Sequence, residues 1–415
     1  MTHIRRALKE AVAERLTRDT RHVLLFGARQ TGKTTLAREL MEELAPGEYL
    51  LLSGEDPRTA EQISSCDLSR LRGILAGYRY VLLDEAQHIP DVGRALKIIH
   101  DNRASGGPAA HTAHAAGAAA PGAGAAAHAP GGAGGAGLPD PRILVTGSSS
   151  LSLAGGTREA LTGRTWSFVL YPIAFMELAE RENQFELQGR LPEALVLGMY
   201  PALFSLPNRR DRVEHLRELS DAYLYRDLLQ LGDIRNPRKL RDLLRLLAYQ
   251  VGAEVSYQEL GRRLGLSTDT VISYIDLLEK AYVVFRLGAF SRNLRKEISR
   301  KDKIFFYDNG VRNILIEDTK EWHLRGDQGA LWENFLVAER QKTNAYNRRH
   351  CNSFFWRVYT GAEIDYVEEG DGEIRAYEFK VREKRTTAPR SFLQAYPDAR
   401  FHSVHMDNWL EFVLG

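Results

Sequence analysis

Apolar residues in the first third of the chain fall into short continuous runs. They are His22-Val23-Leu24-Leu25-Phe26, Tyr49-Leu50-Leu51-Leu52, Tyr80-Val81-Leu82-Leu83 and Ile143-Leu144-Val145. Runs this short, without polar alternation, predict strands buried on both faces. Leu8, Val12 and Leu16 mark an amphipathic helix within residues 1–20. Leu36, Leu40 and Leu44 mark another, which begins near Lys33 and stops at Pro46-Gly47. Strands that alternate with helices predict a parallel sheet covered on both sides.

Farther along, residues 180–250 read as helical. Leu260, Leu264, Val271, Ile275 and Leu278 keep helical spacing across a break at Gly265-Leu266-Ser267. That pattern predicts a helix-turn-helix between Ser256 and Phe285, with Ser267 as the second N-cap and Val283 to Leu287 opening a wing. The tail predicts a helix from Leu331 to Arg340 and strands near 354–359, 363–368 and 374–381.

Length turns this pattern into several domains, because 415 residues exceed one ordinary core. With 44% hydrophobic and 27% charged residues, the composition is that of a globular protein. A net charge of +2 is too small to favour nucleic acid, so only local basic patches could do so. Two cysteines, Cys66 and Cys351, make no disulfide framework and fit a reducing cytoplasm. No apolar stretch reaches the roughly 18 residues of a membrane span, and the N-terminus lacks a signal-peptide core, so no membrane partner is expected. Residues 104–137 hold 16 Ala and 10 Gly among 34, too little bulk to form a core, so they read as a disordered insertion. His111, His114 and His128 inside it are too loosely spaced to argue for a metal.

The chemistry begins at Gly27-Ala28-Arg29-Gln30-Thr31-Gly32-Lys33-Thr34, placed between a predicted strand and a predicted helix. Glycines let backbone N–H groups curl around phosphates, and the helix N-terminus adds positive potential. Lys33 is expected to reach the β- and γ-phosphates of ATP and the Thr34 hydroxyl to ligate Mg2+. Asp84 emerges at the C-terminal end of a strand as a second magnesium ligand, through water. Glu85 beside it is expected to act as general base. Ser148, in Thr146-Gly147-Ser148-Ser149-Ser150, can touch the γ-phosphate or belong to a plain turn. Arg164 can stabilise charge developing on the γ-phosphate or be a surface residue.

Two weaker patterns follow. The helix after Ser267 starts Thr268-Asp269-Thr270 and has no basic residue before Lys280, which is poor for phosphate contact. Arg292 to Lys303, with six basic and two acidic residues, could supply it, so DNA contact and a packing role both stand. Asp365, Glu378 and Lys380 fall on one side of two predicted strands, and Glu333 on the helix before them adds a carboxylate. Two carboxylates and a lysine suit magnesium-dependent phosphodiester cleavage. They also suit a hairpin with a polar face.

Residues 27–35 (including Thr35), 82–87, 146–149, 161–164 and 171–177 together resemble a prokaryotic AAA-type ATPase family with a C-terminal region of uncharacterised function. Gly198-Met199-Tyr200-Pro201, Tyr225-Arg226-Asp227, residues 303–310 and Trp332-Glu333-Asn334-Phe335 extend the resemblance over nearly the whole chain. With the patterns above it gives an α/β fold class: a P-loop NTPase parallel sheet (1–180), a helical winged-helix module (181–300) and a C-terminal α/β domain (301–415) whose Asp365, Glu378 and Lys380 resemble the core of restriction-endonuclease-like folds. The implied function is ATP binding and hydrolysis coupled to a module that meets DNA. The alternative is a nucleotide-dependent switch without nuclease chemistry. Such ATPases often pair subunits so that an arginine acts in trans, which makes a second copy or another protein a candidate partner.

Overall fold

The computed structural model describes residues 4–103, 140–148, 161–222, 234, 236–291, 302–359 and 361–415. Ser149, Ser150, the three insertion histidines, Tyr225-Arg226-Asp227 and the basic residues from Arg292 to Lys301 lie outside the described residues.

The first layer is built from α1 (Leu8–Arg18), β1 (His22–Phe26), α2 (Lys33–Leu44), β2 (Tyr49–Ser53), α3 (Pro57–Ser64), α4 (Leu68–Leu75), β3 (Tyr80–Asp84), α5 (Val92–Asp101), β4 (Arg142–Gly147) and β5 (Thr165–Val169). The strands form a parallel sheet in the order β2-β3-β4-β1-β5. β1 shows why the apolar runs are continuous. Leu24 and Phe26 enter the core with α3 to α5, while Val23 and Leu25 enter the one with α1 and α2. β5, with its mixed sequence Thr-Trp-Ser-Phe-Val, is an edge strand that apolar patterning does not announce.

The second half contains α6 (Phe175–Leu178), α7 (Gln184–Leu197), α8 (Arg209–Ala222), α9 (Pro237–Tyr249), β6 (Glu254–Val255), α10 (Tyr257–Leu264), α11 (Thr268–Lys280), β7 (Val284–Ala289), β8 (Asp302–Phe306) and α12 (Asn309–Leu315). It ends with α13 (Gln328–Tyr346), β9 (Asn352–Arg357), β10 (Glu363–Gly370), β11 (Glu373–Phe379), α14 (Arg390–Ala395), β12 (Arg400–Val404) and α15 (Trp409–Leu414). The strands join one sheet, β12-β11-β10-β9-β7-β8-β6. Pairing is parallel at β7–β9 and β11–β12 and antiparallel elsewhere. The expected boundary at 300/301 is therefore corrected. It would cut the β7–β8 pair, whose ladder runs from Val284–Phe306 to Leu287–Lys303.

The helix-turn-helix is local chemistry. Ser256 Oγ accepts from Glu259 N (3.3 Å), Gly265 closes α10 at φ +61°, and Ser267 Oγ accepts from Thr270 N (3.1 Å). Helix α13 is longer than its apolar pattern. Its last two turns, beyond the expected end at Arg340, bury Lys342, Thr343 and Asn344.

His22, which opens β1, is wholly buried. Its Nε2 lies 3.0 Å from the Leu96 carbonyl and its Nδ1 3.1 Å from Arg103 Nη2. A carbonyl only accepts and a guanidinium only donates, so the ring is neutral with its proton on Nε2. Burial, reinforced by the Arg103 charge, pushes its pKa down to about 3. Unfolded, it titrates near about 6.5, so the unfolded chain binds the extra proton and stability falls as pH drops from there toward 3. Chemical denaturation should show wild type losing about 2–3 kcal/mol more than His22→Gln between pH 7 and pH 4.5.

Candidate functional site

The loop between β1 and α2 takes left-handed backbone angles at Gln30 (φ +58°) and Gly32 (φ +93°). Gly27, at φ +146°, faces the Leu170 carbonyl so closely that a Cβ would lie 2.1 Å from its oxygen. Only glycine fits there. Lys33 is buried, and its Nζ donates to the carbonyls of Gly27 (3.0 Å) and Ala28 (2.7 Å). The ammonium thus lies along the loop, beside the space that phosphates occupy in such loops. Ala28 and Thr31 are buried, Gly32 and Arg29 are half-buried, and Gln30 and Thr35 are exposed.

β4 lies between β1 and β3, which brings Asp84 opposite the loop. Thr34 Oγ1 donates to Asp84 Oδ1 at 2.9 Å, and Thr146 Oγ1 donates to the same oxygen. Glu85 N donates to Thr146 Oγ1 at 3.1 Å, with Glu85 itself left-handed at φ +51°. Such strain costs about 1–3 kcal/mol and persists where neighbours enforce it. Gln87 donates through Nε2 to Glu85 Oε2 and accepts at Oε1 from Ser148 N (3.2 Å). The structure therefore gathers Lys33, Thr34, Asp84, Glu85 and Ser148 at one end of the sheet. Thr146 and Gln87 tie them together. Both stood in the quoted motifs, yet only the fold gives them partners. Thr34 and Asp84 offer a hydroxyl and a carboxylate facing each other, the oxygen donors that magnesium takes.

Arg164 is not part of this group. Its carbonyl accepts from His22 N (2.9 Å) at the start of β1, whereas the loop follows the end of β1. Five strand residues span about 16 Å. The guanidinium turns to Asp101, Nε to Oδ1 at 2.6 Å. Of the two readings open for Arg164, a γ-phosphate contact within this chain is corrected to an ion pair with Asp101 at the opposite end of β1.

A second group forms in the large sheet. Asp365 and Glu378 lie opposite each other, one step beyond the Tyr366–Tyr377 pair of β10 and β11. Asp365 Oδ2 accepts from Phe379 N at 2.7 Å, and Lys380 Nζ meets Glu378 Oε1 at 2.5 Å. Glu333, from α13, pairs with Lys303 of β8 at 2.9 Å. Burial pushes the Glu333 pKa up to about 7; Lys303 opposes the shift, and the charges of Asp365 and Glu363 add to it. Burial also raises Asp365, against the Phe379 N–H. It raises Glu378 too, joined by the Asp365 charge. So Glu333, Glu363, Asp365 and Glu378 share one field, crossed by Lys303 and Lys380. Sequence alone offered Lys303 no partner, because Glu333 is 30 residues away. Among the described residues, no group of three or more His, Cys, Asp or Glu is arranged to hold a metal.

Comparison with known proteins follows this division. Residues 19–113 match a family described as an AAA domain. Residues 188–321 and 328–408 match two domains of unknown function, DUF8612 and DUF4143. The N-terminal part of the chain is thus similar to AAA domains. An uncharacterized protein of Mycobacterium tuberculosis is 29% identical over 373 residues, covering 88% of this chain and 71% of the relative. An uncharacterized protein of Methanocaldococcus jannaschii is 20% identical over 421 residues, covering 93% and 84%. A solved structure of a Walker-type ATPase from Pyrococcus abyssi aligns at a TM-score of 0.46 and 14% identity, over 75% of this chain and 96% of that one. Among the described residues, no helix is long and apolar enough to cross a membrane.

The Lys303–Glu333 pair gives a stability test. Glu333→Ala leaves the Lys303 ammonium buried without its partner and should cost about 3–5 kcal/mol. Adding Lys303→Met should restore more than half, as read by denaturant midpoints. Additive losses would contradict the pairing.

Proposed function

We propose that this chain binds ATP with Mg2+, hydrolyses it, and couples the nucleotide state to a C-terminal module that acts on nucleic acid. The observation that carries the ATPase reading is the Asp84 carboxylate, held by Thr34 and Thr146 at the mouth of the loop with Glu85 beside it. The backbone of residues 27–32 and the N-terminus of α2 receive the phosphates. Lys33 leaves the Gly27 and Ala28 carbonyls for the β- and γ-phosphate oxygens. Thr34 and Asp84 hold the magnesium, which when bound neutralises charge on the phosphates. Glu85 orients the attacking water and takes its proton. Gln87 fixes the Glu85 carboxylate and links it to Ser148, which senses the γ-phosphate.

The nucleic-acid reading rests on topology. The order α9-β6-α10-α11-β7-β8, with β6 and β7 both paired to β8, supports a winged helix. The order α13-β9-β10-β11-α14-β12-α15, with Asp365 and Glu378 opposite each other on β10 and β11 and Lys380 just past the end of β11, supports a restriction-endonuclease-like fold. A second reading, a nucleotide switch without cleavage, is favoured by the ion pairs themselves. Lys303 and Lys380 hold carboxylates that a metal would need.

Lys33→Ala should abolish ATP binding, whereas Glu85→Gln should retain it and slow turnover at least 100-fold, measured by phosphate release. Turnover that survives Lys33→Ala would sink the ATPase reading. Incubation of wild type with plasmid DNA and Mg2+ or Mn2+ separates the other two. Cutting lost in both Asp365→Ala and Lys380→Ala supports the nuclease, and no cutting under either metal supports the switch.

A further inference from the structure

We infer that Arg6 and Tyr346 are positioning residues of the nucleotide site, through which the seating of helix α13 sets ATP affinity. This rests on the nucleotide reading above and adds how the C-terminal region would control the site.

Arg6 precedes α1 and is buried. Its Nη1 donates to the Thr31 carbonyl at 2.6 Å. Thr31 lies between the left-handed Gln30 and Gly32, at the tightest part of the loop. The Thr31 C=O and the Gly32 N–H belong to one trans peptide plane and point in opposite directions. Holding the carbonyl toward Arg6 therefore aims the Gly32 N–H away from it. The rest of the guanidinium faces the other half of the chain. Nε donates to Glu177 Oε1 at 2.9 Å, and Nη2 donates to the Tyr171 carbonyl at 2.7 Å and to the Tyr346 hydroxyl at 3.4 Å.

Tyr346 ends α13, so a residue of the C-terminal region stands directly behind the loop. Its hydroxyl also accepts from Tyr171 N at 3.0 Å. The same face of α13 holds the chain that follows that contact. Lys342 Nζ donates to the Ile173 carbonyl at 3.4 Å, and Glu339 Oε2 accepts from Phe175 N at 2.7 Å. This segment begins with Leu170, whose N–H donates to Phe26 O at 2.7 Å and whose carbonyl presses on Gly27. Both ends of the loop thus bear on residues that α13 fixes. An apolar side chain in place of Arg6 would fill the gap without burying a cation. A guanidinium instead gives direction to the loop and the tyrosine at once.

The test uses the full chain with Arg6→Lys, Tyr346→Phe and the double variant. Mg·ATP affinity is measured by titration, and melting temperature is measured without nucleotide. Each single substitution should weaken binding roughly tenfold, the scale of one buried hydrogen bond. The double should fall within about twofold of the weaker single, because both act through one connection. Singles that bind within twofold of wild type would overturn the inference even if they melt earlier, since that is a structural role alone. Fully additive losses would overturn it too. Wild type that binds no ATP would overturn the nucleotide reading together with this one, an outcome distinct from unchanged variants.

Discussion

Helix α13 is covered on nearly every side, and its buried length carries Asn334, Glu339, Arg340, Lys342, Thr343 and Asn344. A buried charge costs several kcal/mol unless it is paired, so each of these groups must find a partner. The partners come from both halves of the chain. Arg340 binds Glu368 of β10 twice, at 2.7 Å each. Asn334 bonds the backbone of Phe306 in β8, at 2.7 and 3.0 Å. Glu339 and Lys342 pair with each other and hold residues 173–175. The C-terminal sheet, the β7–β8 pair and the chain behind the nucleotide loop are therefore positioned by one element.

This explains why the two candidate sites share a frame. Glu333, on the same helix, pairs with Lys303 and feels the Asp365 and Glu363 charges of β10, while Tyr346 meets Arg6 behind the loop. The spacing of 13 residues between them, at about 1.5 Å each, is some 20 Å of rigid helix. A shift at either end moves the other, provided the helix moves as a body. β7 pairs with both β8 and β9, so the strands on either side of it belong to one sheet.

The nucleotide loop was legible in the sequence because its determinants are local. Glycines, a lysine and a threonine at fixed spacing between a strand and a helix need no distant residue to be recognised. Asp84 was legible because a buried strand ends on it. The helix-turn-helix was legible through its caps and its helical period. What stayed hidden depends on contacts across the chain. Arg6 meets Glu177 across 171 positions, and no periodicity reports that. Sequence left two readings of Arg164 open because β5 is an edge strand of mixed sequence. Recognising Thr165–Val169 as a parallel neighbour of β1 would have put Arg164 at the far end of the sheet. The last turns of α13 fell outside the expected helix because they are polar, whereas in the fold they are polar and paired. Asp365, Glu378 and Lys380 were placed on one face by strand alternation alone, but the pairing of Lys303 with Glu333 emerged only with the fold.

The central claim is that the nucleotide loop and helix α13 behave as one body. Hydrogen exchange of the wild-type chain, with and without Mg·ATP, tests it most directly. The account predicts that ATP slows exchange at residues 27–35 and at 339–346 together. Slowing confined to 27–35, with α13 unchanged, would contradict it.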